Sequence, residues 1–332
     1  MRIAIDAMGG DAGPSVIVDG ALVAARHLQV GLLLVGDARA IEAELARHPV
    51  ASLFRRIDVE IIDAPDCVGM AESAAQALRR KPRASIKVAA EAVRDGRADA
   101  LFSAGHTGAS VMAAHAAVGL LPGVDRPALA TIIPTRQSPA VLLDAGATVG
   151  CRPPHLVQFA VMGSAYARVA LGLASPRVGL LSVGEEESKG NELTREAHQL
   201  LKGAPVNFIG NVEGRDLPAG ATEHHDIDVV VCDGFVGNVL LKFYEAIAPL
   251  MIETLRKAGV DGAQLEAGLK HLDYSEHGGA PLLGVRGVSI IAHGKSSPRA
   301  IKNALRAAAQ AVTSGMNERI GQRLGAATES AA

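Results

Sequence analysis

Short β-branched or leucine-rich runs recur along the chain: Ile3–Asp6, Leu32–Val35, Val59–Asp63, Ala98–Ser103, Ala128–Pro134, Ala140–Asp144, Val178–Val183, Val206–Ile209, Ile227–Cys232 and Val288–Ile291. Most lack polar alternation, which predicts strands covered on both faces. Between many of them apolar residues fall at steps of three and four, as in Ile17, Ala21, Ala24 and Leu28, or Ile301, Leu305, Ala308 and Val312. That period predicts helices with one apolar stripe. Pro14 and Pro298 stand where a first-turn proline is tolerated, the second after Ser297 as a cap. The alternation predicts an α/β fold with a mostly parallel sheet covered on both sides. Ala128–Asp144 departs from it. Two strand patterns there are separated only by Thr135-Arg136-Gln137, which predicts a hairpin and an antiparallel edge.

With no internal repeat and no low-complexity linker, a single α/β unit over residues 1–332 is preferred, although the length also allows two lobes. Residues 244–273 form an excursion from the pattern. Tyr244–Lys257 carries a helical stripe, Gly259 and Gly262 interrupt it, and a second helical pattern follows to about Leu272. This segment is either an αα-hairpin that contacts a partner or a pair of ordinary covering helices.

Composition narrows the class. Of 332 residues 48% are hydrophobic, and 33 basic against 35 acidic side chains give a formal charge of −2. A disordered chain, or a nucleic-acid binder relying on bulk charge, would look different. The cysteines at 67, 151 and 232 are too widely spaced for a zinc knuckle, and their odd number argues against a disulfide framework. A reducing cytoplasm is expected, and Asp6 so near the start predicts no secretory leader. Ala100–Val124 has no Asp, Glu, Lys or Arg. Its serines, histidines, glycines and Pro122 make it a buried strand, loop and helix rather than a membrane span.

Chemistry is expected beyond the carboxyl ends of the strands, where loops enter helices. Five such loops share glycines and a small polar side chain: 6–14, 103–109, 183–191, 232–238 and 292–297. Glycines let backbone N–H groups turn toward an anion, and a helix N-terminus adds partial positive charge. One terminus contributes only about 0.3–1 kcal/mol, so several must converge or a cation must help. Lys189, Lys242 and Lys295 are the candidate cations, with His106 as a titratable fourth. Asp11 is read as structural. His224-His225-Asp226 is a solvated loop rather than a metal site, because adjacent strand residues point apart. His115 and His155 are core or surface histidines. The first loop fits the dinucleotide fingerprint poorly, and no Walker sequence, serine elbow or Cys/His pair at motif spacing occurs. The nucleophile is therefore expected to belong to the substrate.

Seven blocks resemble one family. They are Asp6-Ala7-Met8-Gly9-Gly10-Asp11, Ser103–Ala109, Arg126-Pro127-Ala128-Leu129, His155–Gly163, Lys189-Gly190-Asn191-Glu192-Leu193-Thr194, Asp233–Val239 and Gly278–Gly284. In this order, from residue 1 to about 300, they resemble the phosphate acyltransferase family (PlsX). The resemblance implies a Rossmann-like α/β/α sandwich related to phosphotransacetylases. It also implies a cytoplasmic homodimer without cofactor or metal, which moves a fatty acyl group from acyl-acyl carrier protein to inorganic phosphate for phospholipid synthesis. A membrane glycerol-3-phosphate acyltransferase is the implied downstream partner. The family commonly has Asn where His106 stands. The 250–275 segment is shorter than in relatives whose hairpin tip touches the membrane, and Lys257–Lys270 shows no apolar tip, which argues against membrane docking.

The expected site follows from these loops. Lys189, His106 and Asn238 are the catalytic candidates. Gly9, Gly10, Ser103, Thr107, Asn191, Lys242 and Lys295 are the candidate phosphate ligands. Arg79, Arg80, Lys81, Arg83 and Lys87 form the densest basic cluster, either a docking patch for the acidic carrier protein or a solvated helix end. A phosphotransacetylase using acyl-coenzyme A and a non-catalytic scaffold are the alternatives.

Overall fold

The computed structural model describes residues 1–48, 57–262 and 278–330. They divide into two compact units, Met1–Leu121 with His277–Asn317, and Pro122–Glu276 with Glu318–Ala332. The single α/β unit preferred from the sequence thus spans two such groupings. Each has its own mostly parallel sheet, because each half repeats the strand–helix alternation.

In the first unit the strands are β1 (Arg2–Asp6), β2 (Gly31–Gly36), β3 (Val59–Asp63) and β4 (Ala100–Ser103). Its helices are α1 (Pro14–Leu28), α2 (Ala38–Arg47), α3 (Ala74–Arg80), α4 (Ser85–Arg94) and α5 (Thr107–Val118). The second unit supplies β5 (Ala128–Leu129), β6 (Thr131–Ile133), β7 (Ala140–Leu143), α6 (Pro153–Ala170), β8 (Arg177–Leu181) and α7 (Glu192–Lys202). It continues with β9 (Asn207–Val212), α8 (Asp216–Ala219), β10 (Val229–Val231) and α9 (Gly234–Lys257). The chain then adds β11 (Ala280–Leu283), β12 (Val288–Ile291) and α10 (Pro298–Thr313) to the first unit, and α11 (Met316–Ser330) follows.

Strand order in the first unit runs β3-β2-β1-β4-β12-β11. All of these pair in parallel except β11, which runs against β12. Ile3, Ile5, Leu32, Leu33, Leu34 and Phe102 are fully buried there. Burying each such side chain contributes roughly 1.5–3 kcal/mol, so this is the stiff part of the unit. Helix α1 lies so close to α10 that a Cβ on Gly20 would come within 2.6 Å of the Ile301 Cβ. Pro14 and Pro298 both open helices as expected, and the Ser297 side chain accepts from the Ala300 N–H at 3.2 Å.

Strand order in the second unit is β6-β7-β10-β8-β9, parallel except for β6 against β7. That pair is the predicted hairpin, with Thr131 opposite Leu142 and Ile133 opposite Ala140. Helix α9 covers the first part of the predicted excursion, while the second helical pattern lies outside the described residues. By length and composition α9 is apolar enough to cross a membrane, and it exposes Phe235, Val239, Phe243 and Leu250.

Candidate active site

Parallel pairing sets the ends of neighbouring strands side by side. In the first unit Asp6 pairs with Ser103, and Ile291 also pairs with Ser103. The loops after β1, β4 and β12 therefore leave one edge together. Contacts between them are close: Asp11 N–H donates to the Gly294 carbonyl at 2.8 Å, and a Cβ on Gly9 would lie 2.7 Å from the Gly105 nitrogen. This approach requires glycine at position 9.

Behind these loops sits Asp6, which is buried. Its carboxylate accepts from Ser85 Oγ at 2.6 Å and from Ser103 Oγ at 2.7 Å. Ser103 in turn accepts from Gly105 N–H at 3.0 Å, and Ser110 Oγ donates to it at 3.2 Å. Burial pushes the Asp6 carboxyl above the ordinary carboxylate range, against the opposing pull of the two serine hydroxyls and of the Met8 and Gly9 N–H groups.

Two expected phosphate ligands thereby take on a different aspect. The Ser103 hydroxyl is buried and committed to Asp6, and the Gly9 N–H faces inward to the same residue. Both hold the loop in shape from behind. Thr107, at the first turn of α5, and Lys295 are exposed. Gly10 packs against the Gly294 carbonyl in a left-handed conformation, φ 94°.

His106 is the N-cap of α5, its Nδ1 accepting from the Ala109 N–H at 3.3 Å. An Asn at this position would do the same work through its amide oxygen. Acceptance at Nδ1 requires the neutral ring to carry its proton on Nε2, so His106 offers an N–H donor on its other side.

The second unit builds its rim in the same way. Val231 pairs with Leu143 and with Leu180, so the loops after β7, β10 and β8 emerge together. Its buried carboxylate is Asp144, a residue that the sequence pattern marked only as a strand end. It accepts four backbone N–H groups: Leu129 at 2.8 Å, Gly146 at 2.9 Å, Ala147 at 2.9 Å and Thr148 at 2.6 Å. Burial again raises the carboxyl, with these four donors pulling the other way. The first turn of α9 packs on this loop. Asp233 caps the helix through the Phe235 and Val236 N–H groups, and a Cβ on Gly237 would overlap the Asp144 carbonyl oxygen.

That packing places Asn238, an exposed residue, beside Gly146, where a Cβ would lie 3.3 Å from the Asn238 Oδ1. Lys189 stands in the loop after β8. Its N–H donates to the Glu186 carbonyl at 2.9 Å, and its own carbonyl accepts from Ser182 Oγ at 3.4 Å. The side chain is exposed, and among the described residues its ammonium makes no ion pair. Asn191 is the cap of α7, its Oδ1 accepting from the Thr194 N–H at 2.9 Å, so that oxygen serves the helix. Lys242 is exposed and pairs with Glu245 at 3.1 Å.

The basic cluster of the first unit is only partly available. Lys81 pairs with Glu72 at 2.6 Å and Arg83 with Asp63 at 2.7 Å. Arg79 and Arg80 are exposed, and Lys87 is half-buried. His224 and His225 lie in an exposed turn whose N–H groups donate to Thr222 Oγ1. His115 is exposed, whereas His155 is buried in the first turn of α6.

The family described as "Fatty acid synthesis protein" matches residues 1–319. A phosphate acyltransferase of Nitratidesulfovibrio vulgaris is 48% identical over 97% of this chain and 94% of its own length. One of Nostoc punctiforme is 50% identical over 96% of this chain and 95% of its own. The chain belongs to the phosphate acyltransferase family. It is an acyltransferase whose acceptor is phosphate. Solved structures share the Rossmann-like α/β/α fold of the family at low identity. A phosphotransacetylase of Streptococcus pyogenes is 18% identical with a TM-score of 0.62, covering 94% of each chain. A branched-chain phosphotransacylase of Enterococcus faecalis is 16% identical with a TM-score of 0.58, covering 94% of this chain and 99% of its own. In a phosphate acyltransferase the acceptor is a small anion, the ligand class for which glycine-lined strand exits are suited.

Proposed function

We propose that this phosphate acyltransferase takes a fatty acyl group from the thioester of acyl carrier protein and gives acyl phosphate for phospholipid synthesis. The observation that carries the reading is Lys189. It presents an ammonium with no ion pair among the described residues, on a loop held at both ends, at the carboxyl edge of a parallel sheet. That arrangement suits an inorganic phosphate, because the anion brings its own charge to a lysine that makes no ion pair among the described residues.

In the reaction, a phosphate oxygen attacks the thioester carbonyl carbon. A C–O bond forms, the carbonyl oxygen takes up negative charge, and its collapse breaks the C–S bond and expels the thiolate. A thiol has an ordinary pKa of about 8.5, so expulsion needs no strong general acid. Positioning and charge stabilisation carry the rate instead. Lys189 neutralises phosphate charge, and Asn238 offers an amide donor from the same unit. Within the first unit, its own rim carries Thr107, Lys295 and the His106 Nε2–H as donors suited to an anion. Exposed Arg79 and Arg80 supply positive charge for the acidic carrier protein.

The exposed apolar side of α9 supports a homodimer, in which a second copy removes Phe235, Val239 and Phe243 from water. A cytoplasmic enzyme of this kind would hand its acyl phosphate to a membrane glycerol-3-phosphate acyltransferase.

The test is incubation with phosphate and long-chain acyl-acyl carrier protein, followed by hydroxylamine trapping. Acyl hydroxamate that depends on both substrates is expected, with charge reversal at Arg79 and Arg80 raising the apparent KM for the carrier-bound donor alone. Turnover with acyl-coenzyme A that equals or exceeds turnover with the carrier would replace the donor assignment.

A further inference from the structure

A second concave site lies in the second unit, at the opposite edge of its sheet from the loops above. It has a volume of about 560 Å³. Leu173 and Pro205, just before the amino ends of β8 and β9, form part of its wall. Arg168 enters from the last turn of α6, and Arg319, Gln322 and Arg323 enter from α11. The last three are spaced to share one helix face.

Charge sets this site apart. Three guanidiniums line it and no acidic side chain does. Neither Arg168 nor Arg323 makes a salt bridge among the described residues, and Arg168 Nε is buried without a hydrogen-bond partner. Burial, and after it the charge of Arg323, pulls the Arg168 guanidinium below its ordinary value. A helix carboxyl end favours a single cation, which accounts for Arg168 at the end of α6. It does not account for a second guanidinium brought beside the first from the far end of the chain.

A multiply charged anion resolves all of these features together. It supplies counter-charge to Arg168 and Arg323, and guanidinium forks match phosphoryl oxygens in pairs. The volume lies within the range of small-molecule sites and exceeds what orthophosphate fills. We infer that this pocket binds a diphosphate-bearing small molecule through Arg168, Arg319 and Arg323, at a place separate from the acyl-transfer rim.

Isothermal titration of the full chain with inorganic pyrophosphate, and separately with ADP, tests this. Saturating orthophosphate is present throughout so that the catalytic rim is filled. Saturable binding of one or both probes is expected. Equal affinities would mean that the diphosphate group alone is recognised, and tighter binding of ADP would add contacts from its organic part to the walls. Arg319→Ala with Arg323→Ala should abolish that binding. Gln322→Glu, at an exposed position that removes no guanidinium, should weaken it by at least about tenfold because the new carboxylate repels the anion, with the rate of acyl transfer unchanged. Absence of binding of both probes by the wild-type chain would overturn the inference. So would wild-type affinity in Gln322→Glu, which remains decisive if the double variant fails to fold.

Discussion

The two units solve one problem in different ways. Each ends a buried parallel strand on a carboxylate that shapes the loop next to it. In the first unit Asp6 is satisfied largely by the rotatable hydroxyls of Ser85 and Ser103. In the second Asp144 is satisfied by four backbone N–H groups that point at it from fixed positions. A hydroxyl both donates and accepts, whereas a backbone N–H only donates. The first hub can therefore reorganise around a changed side chain. The second cannot, and its loop is also pressed between β5 and the first turn of α9.

The largest expected effect follows directly. Asp144→Asn turns an amide NH2 toward donors that need an acceptor and should destabilise the fold by about 2–4 kcal/mol. Asp6→Asn should cost about 1 kcal/mol, because the Ser85 hydroxyl can turn to accept from the new NH2. Denaturant midpoints of the two variants check this, and equal losses would erase the distinction between the hubs.

Acid sharpens the comparison further. Burial raises both carboxyls in the folded chain above their unfolded value. The folded state then binds the proton more readily, so the contribution of each group to stability is fully present below the unfolded pKa of about 3.9 and is lost as pH rises through the folded value. The stability of the wild-type chain relative to Asp6→Asn should therefore improve as pH falls from 7 toward 4. A relative loss on acidification would show that hydrogen bonding outweighs burial at Asp6.

The smallest effect concerns the cap of α5. His106→Asn keeps an acceptor for the Ala109 N–H and should leave thermal stability nearly unchanged, while His106→Ala should cost about 1 kcal/mol. Similar losses in both would mean that the ring has contacts beyond the cap.

Much of this architecture is legible in residue patterns, because buried parallel strands are short apolar runs and helix starts carry their own chemistry. The Ala128–Asp144 hairpin and the first-turn prolines 14 and 298 are read that way. Strand β11 is not: Ala280-Pro281-Leu282-Leu283 is brief, contains a proline and follows two glycines, so it has a turn's composition, and its strand geometry is fixed by tertiary pairing such as that with β12. The five-loop recipe locates Lys189, Asn238 and His106 at strand exits, since chain order alone places them there. It does not show that Ser103 and the Gly9 N–H face inward. That depends on Asp6 being buried and on Ser85 reaching it from a distant helix. Asp144 is silent for the same reason, as its partners are backbone groups. The arginine pocket joins α6 to α11, which no local pattern connects.

Lys189, in the proposed reaction, grips the phosphate that attacks the thioester. The most direct measurement is steady-state formation of acyl hydroxamate from phosphate and acyl-acyl carrier protein by Lys189→Ala, together with its thermal midpoint. A fall in turnover of about 10²–10³-fold at an unchanged midpoint is expected. Wild-type turnover and phosphate dependence in that variant would contradict the account.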